Sequence, residues 1–141
     1  MAEGILRSRI PPTLADELIA SSAGTAFLDG LPAAPYAVEV MAEHWIDISS
    51  HASRGLEADM AESADLILAM TQIHVEEILA VAPDAREKTY LLSEFADGAS
   101  QDVPDPIGGP REEYERVYDM LSDLIDKSLP RIVELAEDRG T

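Results

Sequence analysis

Apolar positions along this chain recur in two rhythms, one of three to four residues and one of short unbroken runs. Ala2, Ile5, Leu6 and Ile10 share one side of a helix over Met1 to Ile10, which Pro11-Pro12 ends. Pro35 opens a second helix, with Ala37, Val40, Met41 and His44 at helical spacing. Val75, Ile78, Leu79 and Ala82 form a third stripe, with Thr71 as its N-cap and Pro83 as its stop. The longest stripe starts at Pro110 and runs through Tyr114, Val117, Tyr118, Leu121, Leu124 and Ile125; Pro130 kinks or interrupts it before Ile132. Glu112 and Glu113 fall in its first turn, where carboxylates suit the helix dipole.

The unbroken runs predict strands. Leu66 to Met70 fits a parallel strand buried on both faces, and Thr89 to Leu92 a short second one. Glu17 to Ser22 either continues a helix from Thr13 or forms a strand; the break at Ala23-Gly24-Thr25 favours the strand, with a loop to Leu31. Glu57 to Ser63 reads as a short polar helix or turn. Trp45 and Ile46 lead into a polar loop from Asp47 to Arg54, and a further loop runs from Glu94 to Asp105. Strands alternating with helices predict βαβ units, hence a three-layer α/β fold with a parallel sheet flanked by helices. In such sheets ligands bind beyond the carboxyl ends of the strands, which is where Ala23-Gly24, Thr71 and the Asp105 loop fall.

A length of 141 residues corresponds to one domain, 1–141. Twenty-eight acidic residues against ten basic ones give a net charge of -18, which repels phosphate backbones and argues against nucleic acid as a partner. No apolar run is long enough to span a membrane, and Met1 to Arg7 has no features of a secretory signal, so a cytoplasmic location away from membranes is expected. The three histidines have no metal-ligand spacing, and neither metal nor cofactor is expected. The cysteine count is zero, which removes disulfides, thiolate metal sites, redox pairs and cysteine nucleophiles from these residues together.

The stretch with candidate chemistry is Asp102-Val103-Pro104-Asp105-Pro106-Ile107-Gly108-Gly109-Pro110. Two prolines stiffen the backbone around Asp105, two glycines free the turn that follows, and Pro110 suits the first position of a helix. The pattern presents a carboxylate beside a hinge; it is also an ordinary way to build a turn.

Taken together, these segments resemble the low-molecular-weight protein tyrosine phosphatase family, including its bacterial protein-arginine phosphatase branch. Met1 to Arg7 is similar to the family's first helix, and Ser22-Ala23-Gly24-Thr25 to the end of its second strand. Ile46 to His51 resembles the segment after its second helix, Ser63 to Thr71 its third strand, and Asp105-Pro106 with Gly108-Gly109 the loop bearing the catalytic acid. The resemblance implies hydrolysis of a phosphorylated protein, acting as a monomer, in two steps. A cysteine thiolate attacks phosphorus while the loop aspartate protonates the leaving group, and water then releases phosphate with the same aspartate as base. By this resemblance Asp105 is the acid, Ser22 and His51 brace the phosphate-binding loop, and Ile107 forms part of the substrate wall. His44 and His74 take no role.

The family's nucleophile lies in a Cys-x-x-Gly-Asn-x-Cys-Arg-Ser-Pro loop after a first, central strand. Neither that strand nor that loop is present in these residues, and the Leu6-Arg7-Ser8-Arg9 stretch is no substitute. Two readings follow. Either the working protein carries roughly fifteen further residues before Met1, a strand plus a loop, or the chain is a non-catalytic remnant or phosphoprotein-binding module. Retention of Asp105, Ser22 and His51 favours the first. Asp105-Pro106-Ile107-Gly108-Gly109 is closer to the Asp-Pro-Phe-Gly-Gly form of the arginine-phosphatase branch, with isoleucine in place of phenylalanine, than to the aromatic walls of tyrosine-specific members. Related arsenate reductases need further cysteines, which excludes that activity here.

Overall fold

The computed structural model describes residues 1–25 and 29–139. Helix α1 covers Ala2–Arg9, α2 Pro35–Glu43, α3 Ala58–Ser63, α4 Gln72–Val81, α5 Leu92–Asp97 and α6 Arg111–Arg139. Strands β1 (Ile67–Ala69) and β2 (Thr89–Leu91) pair in parallel, Ile67 against Thr89 and Ala69 against Leu91, with α4 as the crossover. Short 3-10 turns at Pro12–Leu14 and Pro83–Lys88 complete the path.

The long helix α6 is the organising surface, because its apolar stripe is broad enough to take several partners at once. Tyr114, Val117, Tyr118, Leu121, Leu124 and Ile125 are all buried, as their spacing predicts, in one cluster with Ile5 of α1, Val40 and Met41 of α2, and Leu92 of α5. Pro130 lies inside α6, and the helix continues through it to Arg139. Separate small clusters, Ala61 with Ala82 and Ala85, and Ala69 with Val75 and Ile78, seat α3 and α4 around β1.

Three expectations need correction. Glu17 to Ser22 is not a strand. Glu17 and Leu18 still donate back to the Leu14 carbonyl, and the Arg7 guanidinium takes the Ala20 carbonyl at 3.1 and 3.0 Å. Arg54 Nε takes that of Ser22 at 2.9 Å, and backbone pairing is reached only at the isolated Gly24–Gly55 bridge. A strand needs a neighbouring ladder, and here side chains occupy the acceptors. Apart from buried Ala69, the run Leu66 to Met70 is half-buried rather than buried on both faces, and β1 is paired along one edge only among the described residues. The stretch from Glu94 is not all loop: α5 extends through Asp97 and stops at Gly98. Of the loop expected between Ala23 and Leu31, positions 26–28 lie outside the described residues.

The end of α2 carries a local conflict. Ile46 N donates to Met41 O and Trp45 N to Ala42 O, both at 3.0 Å, the pair of bonds that closes a helix when the residue after the cap is left-handed. That residue is normally glycine; here it is Trp45, at φ 63° and 97% exposed. A bulky side chain in this region costs about 1–2 kcal/mol, while glycine gives back part of the gain through its freer unfolded chain. Trp45→Gly should therefore stabilise the chain by about 1 kcal/mol, raising Tm by about 4 °C. Circular dichroism checks this, since the variant loses its sole tryptophan.

Candidate active site

The site is built at the carboxyl end of β1. Thr71, just beyond it, caps α4 by accepting the His74 N–H on its hydroxyl at 3.2 Å, and Asp102 Oδ1 accepts the Gln72 N–H at 2.9 Å. A carboxylate suits that end of a helix. Val103 N donates to Met70 O at 2.8 Å, and the Val103 side chain is buried in the main core. The chain therefore crosses the strand end with two successive residues fastened.

Beyond Val103 the loop turns on itself. Asp105 Oδ1 accepts the Ile107 N–H at 3.0 Å, and Gly109 N donates to Pro106 O at 2.9 Å. Gly108 is left-handed at φ 79°, and a Cβ on Gly109 would stand 3.0 Å from the Pro106 oxygen, so both glycines are required by the turn. The side chains of Asp105 and Ile107 project into solvent, Ile107 being 74% exposed. An open groove of about 250 Å³ lies behind the loop, between Asp102, Pro104 and the Glu113, Val117 and Met120 face of α6.

Ser22 and His51 are held by other segments than the Asp105 loop. Ser22 Oγ donates to Glu3 Oε1 at 2.9 Å, in the first turn of α1. The Gly24–Gly55 bridge, with Gly24 N to Arg54 O and Leu56 N to Gly24 O at 2.8 Å each, draws the Ser22 segment against the chain that follows His51. His51 is half-buried, and its N–H donates to Ile48 O at 3.1 Å. The turn that carries it is pinned by Asp47, whose carboxyl is held below its ordinary range by the Ser49 hydroxyl and then the Ser49 N–H. Among the described residues no hydrogen bond joins Asp105 to Ser22 or His51; the structure brings Ser22 and the His51 segment together and fastens Asp105 separately.

The cations near the acid loop are already engaged. Arg111 is bound by Glu39, Glu43 and Glu115, and Arg116 by Glu113. Its carboxylate partners, the Glu43 hydrogen bond first, raise the pKa of Arg111. These pairs tie the end of α2 to the start of α6 and leave the loop's surroundings acidic. Ser93 was not legible as a site residue in the sequence. It is buried, and its hydroxyl meets the backbone of Ala99 and Gln101 at the base of the loop. A serine directly after the apolar Tyr90 to Leu92 run was the one available signal.

The described residues form an α/β fold with an exposed aspartate on a Pro-Asp-Pro turn beside the carboxyl end of β1. The profile of the low molecular weight phosphotyrosine protein phosphatase family matches residues 1–139, and the chain belongs to that family. It is 36% identical over 121 residues to the low molecular weight protein-tyrosine-phosphatase Etp of Escherichia coli, covering 86% of this chain and 77% of that protein. Among solved structures, the YwlE arginine phosphatase from Geobacillus stearothermophilus superposes with a TM-score of 0.82 at 32% identity, covering 99% of this chain and 82% of that one. The low molecular weight protein tyrosine phosphatase from T. tengcongensis gives 0.84 at 37% identity, with 92% and 88% covered. Among the described residues no helix is long and apolar enough to cross a membrane.

Proposed function

We propose that residues 1–141 form one domain carrying the general acid and substrate wall of a phosphoprotein phosphatase, whose nucleophilic thiol lies outside these residues. The observation behind this reading is the Asp105 carboxylate, exposed on a stiff turn whose base is fastened to the carboxyl end of β1. Asp105 protonates the leaving group during thiolate attack and then deprotonates the water that releases phosphate. Ser22 and His51 support the phosphate loop, and Ile107 lines the substrate wall. Asp105-Pro106-Ile107-Gly108-Gly109, similar to the Asp-Pro-Phe-Gly-Gly form of the arginine-phosphatase branch, tilts the substrate toward phosphoarginine over phosphotyrosine. The protein works as a cytoplasmic monomer on protein substrates.

The absence of any cysteine from the 141 residues supports a second reading, a non-catalytic remnant or phosphoprotein-binding module. One experiment separates them. The 141-residue chain and the same chain preceded by the family's strand and thiol loop are each given phosphoarginine and phosphotyrosine peptides, and released phosphate is measured. The short chain should release none above buffer, and the extended one should turn over, faster on phosphoarginine. An extended protein inactive on both peptides sinks the phosphatase reading, and turnover by the short chain sinks the thiol mechanism.

A further inference from the structure

Ser93 sits in the first turn of α5 with 0% of its surface exposed. Its hydroxyl accepts the Gln101 N–H at 2.9 Å and faces the carbonyl oxygens of Ala99 at 2.9 Å and Gln101 at 2.8 Å. The other buried serine and threonine hydroxyls among the described residues behave differently: Ser128 bonds Leu124 O one turn back in its own helix, and Thr89 bonds Ala85 O four residues earlier. Ser93 reaches forward, out of its helix, to the segment that becomes the acid loop. The next two residues of that segment are fastened as well, Asp102 to Gln72 and Val103 to Met70. From Pro104 to Gly109 the hydrogen bonds run inside the loop.

From this division between a fastened base and a self-contained tip, we propose that Ser93 is a positioning residue for Asp105. Its hydroxyl fixes the register in which residues 99–101 enter the loop, and so sets the pivot at Val103 about which the tip swings. Asp105 is two residues beyond that pivot, an arm of about 7 Å at full extension. An acid must come within hydrogen-bond reach of the atom it protonates, and a displacement of about 1 Å can cost about 100-fold in rate. The proposal rests on the reading of Asp105 as the acid, and it adds a residue that touches neither substrate nor thiol.

Hydrogen exchange on the 141-residue chain tests the structural half, with Ser128→Ala as a matched deletion of a buried hydroxyl. Ser93→Ala should speed exchange at 99–109 by about tenfold while β1, α4 and α6 keep their wild-type rates. Ser128→Ala should leave 99–109 unchanged. Unchanged exchange at 99–109 in Ser93→Ala, or an equal acceleration everywhere, overturns the proposal. If alanine unfolds the chain, Ser93→Cys, similar in size but a weak hydrogen-bonding partner, gives the same readout. In the extended, thiol-bearing protein, Ser93→Ala should lower kcat/KM about tenfold or more for aryl phosphates with poor leaving groups and leave kcat/KM for good leaving groups untouched. Equal losses on both also overturn it. An extended wild-type protein that releases no phosphate removes the phosphatase reading instead, and the exchange result still decides whether Ser93 holds the loop.

Discussion

Asp105→Asn, made in the extended, thiol-bearing protein, should lower kcat/KM, which reports the step that expels the leaving group, by about 10²- to 10⁴-fold on substrates whose leaving group needs a proton. The amide oxygen of asparagine still accepts the Ile107 N–H, so the turn that Asp105 builds is preserved while its transferable proton is lost. Because the side chain is exposed and makes no contact with the core, stability should change by less than about 0.5 kcal/mol. The loss should shrink as the leaving group improves, since a good one departs as an anion without help. Steady-state kinetics on a series of aryl phosphates of rising leaving-group basicity reads this directly. A steep dependence assigns Asp105 to protonation. An equal loss across the series would make it a binding residue, and no loss would remove it from the chemistry.

The effect of that substitution would depend on backbone features that the sequence only half discloses. The carboxylate and its prolines are written in the chain, and the glycines after them announce a turn. Nothing local to Asp105 says that Val103 is buried, or that Asp102 caps α4; those facts need β1 and α4 in place. Ser93 is the clearest case. It reads as a polar residue at the end of a short apolar run, beside Glu94, and its role appears only once Ala99 and Gln101 fold back over α5.

The same split explains the fold. The stripes of α1, α2, α4 and α6 were legible because a period of 3.6 repeats often enough to be counted, and prolines mark their ends. Six residues of α5 are too few to show a period. Leu18-Ile19-Ala20 looks like a strand by composition, but a strand exists only if a ladder partner stands beside it, and no local pattern carries that information. Trp45 shows a third kind of silence: its left-handed conformation is imposed by Met41 and Ala42 accepting from the chain beyond the helix, against the preference of its own side chain.

The largest loss of stability should come from Tyr118→Ala, at about 3–5 kcal/mol. Tyr118 is buried at the middle of the α6 stripe, in the cluster that α1, α2 and α5 share, so its removal leaves a cavity facing several elements that cannot all collapse into it. Its ring also stacks on His44 at 3.7 Å between centroids with 12° between planes, a contact worth about 0.5–1.5 kcal/mol beyond area burial. A domain of this kind has about 5–15 kcal/mol in total, so the variant should sit close to unfolding. Tyr118→Phe keeps the ring and the stack and drops only the hydroxyl; it should cost about 1 kcal/mol or less. Urea midpoints at constant slope measure both. A small effect of alanine with a large effect of phenylalanine would mean that the hydroxyl, not the packed ring, holds this face. The functional consequence follows from where the ring lies. His44 is the residue after Glu43, and Glu43 clamps Arg111 one residue past the Gly-Gly-Pro end of the acid loop. Losing the stack therefore loosens the anchor on the far side of Asp105, so any Tyr118→Ala protein that remains folded should also lose part of the leaving-group dependence that Asp105 confers.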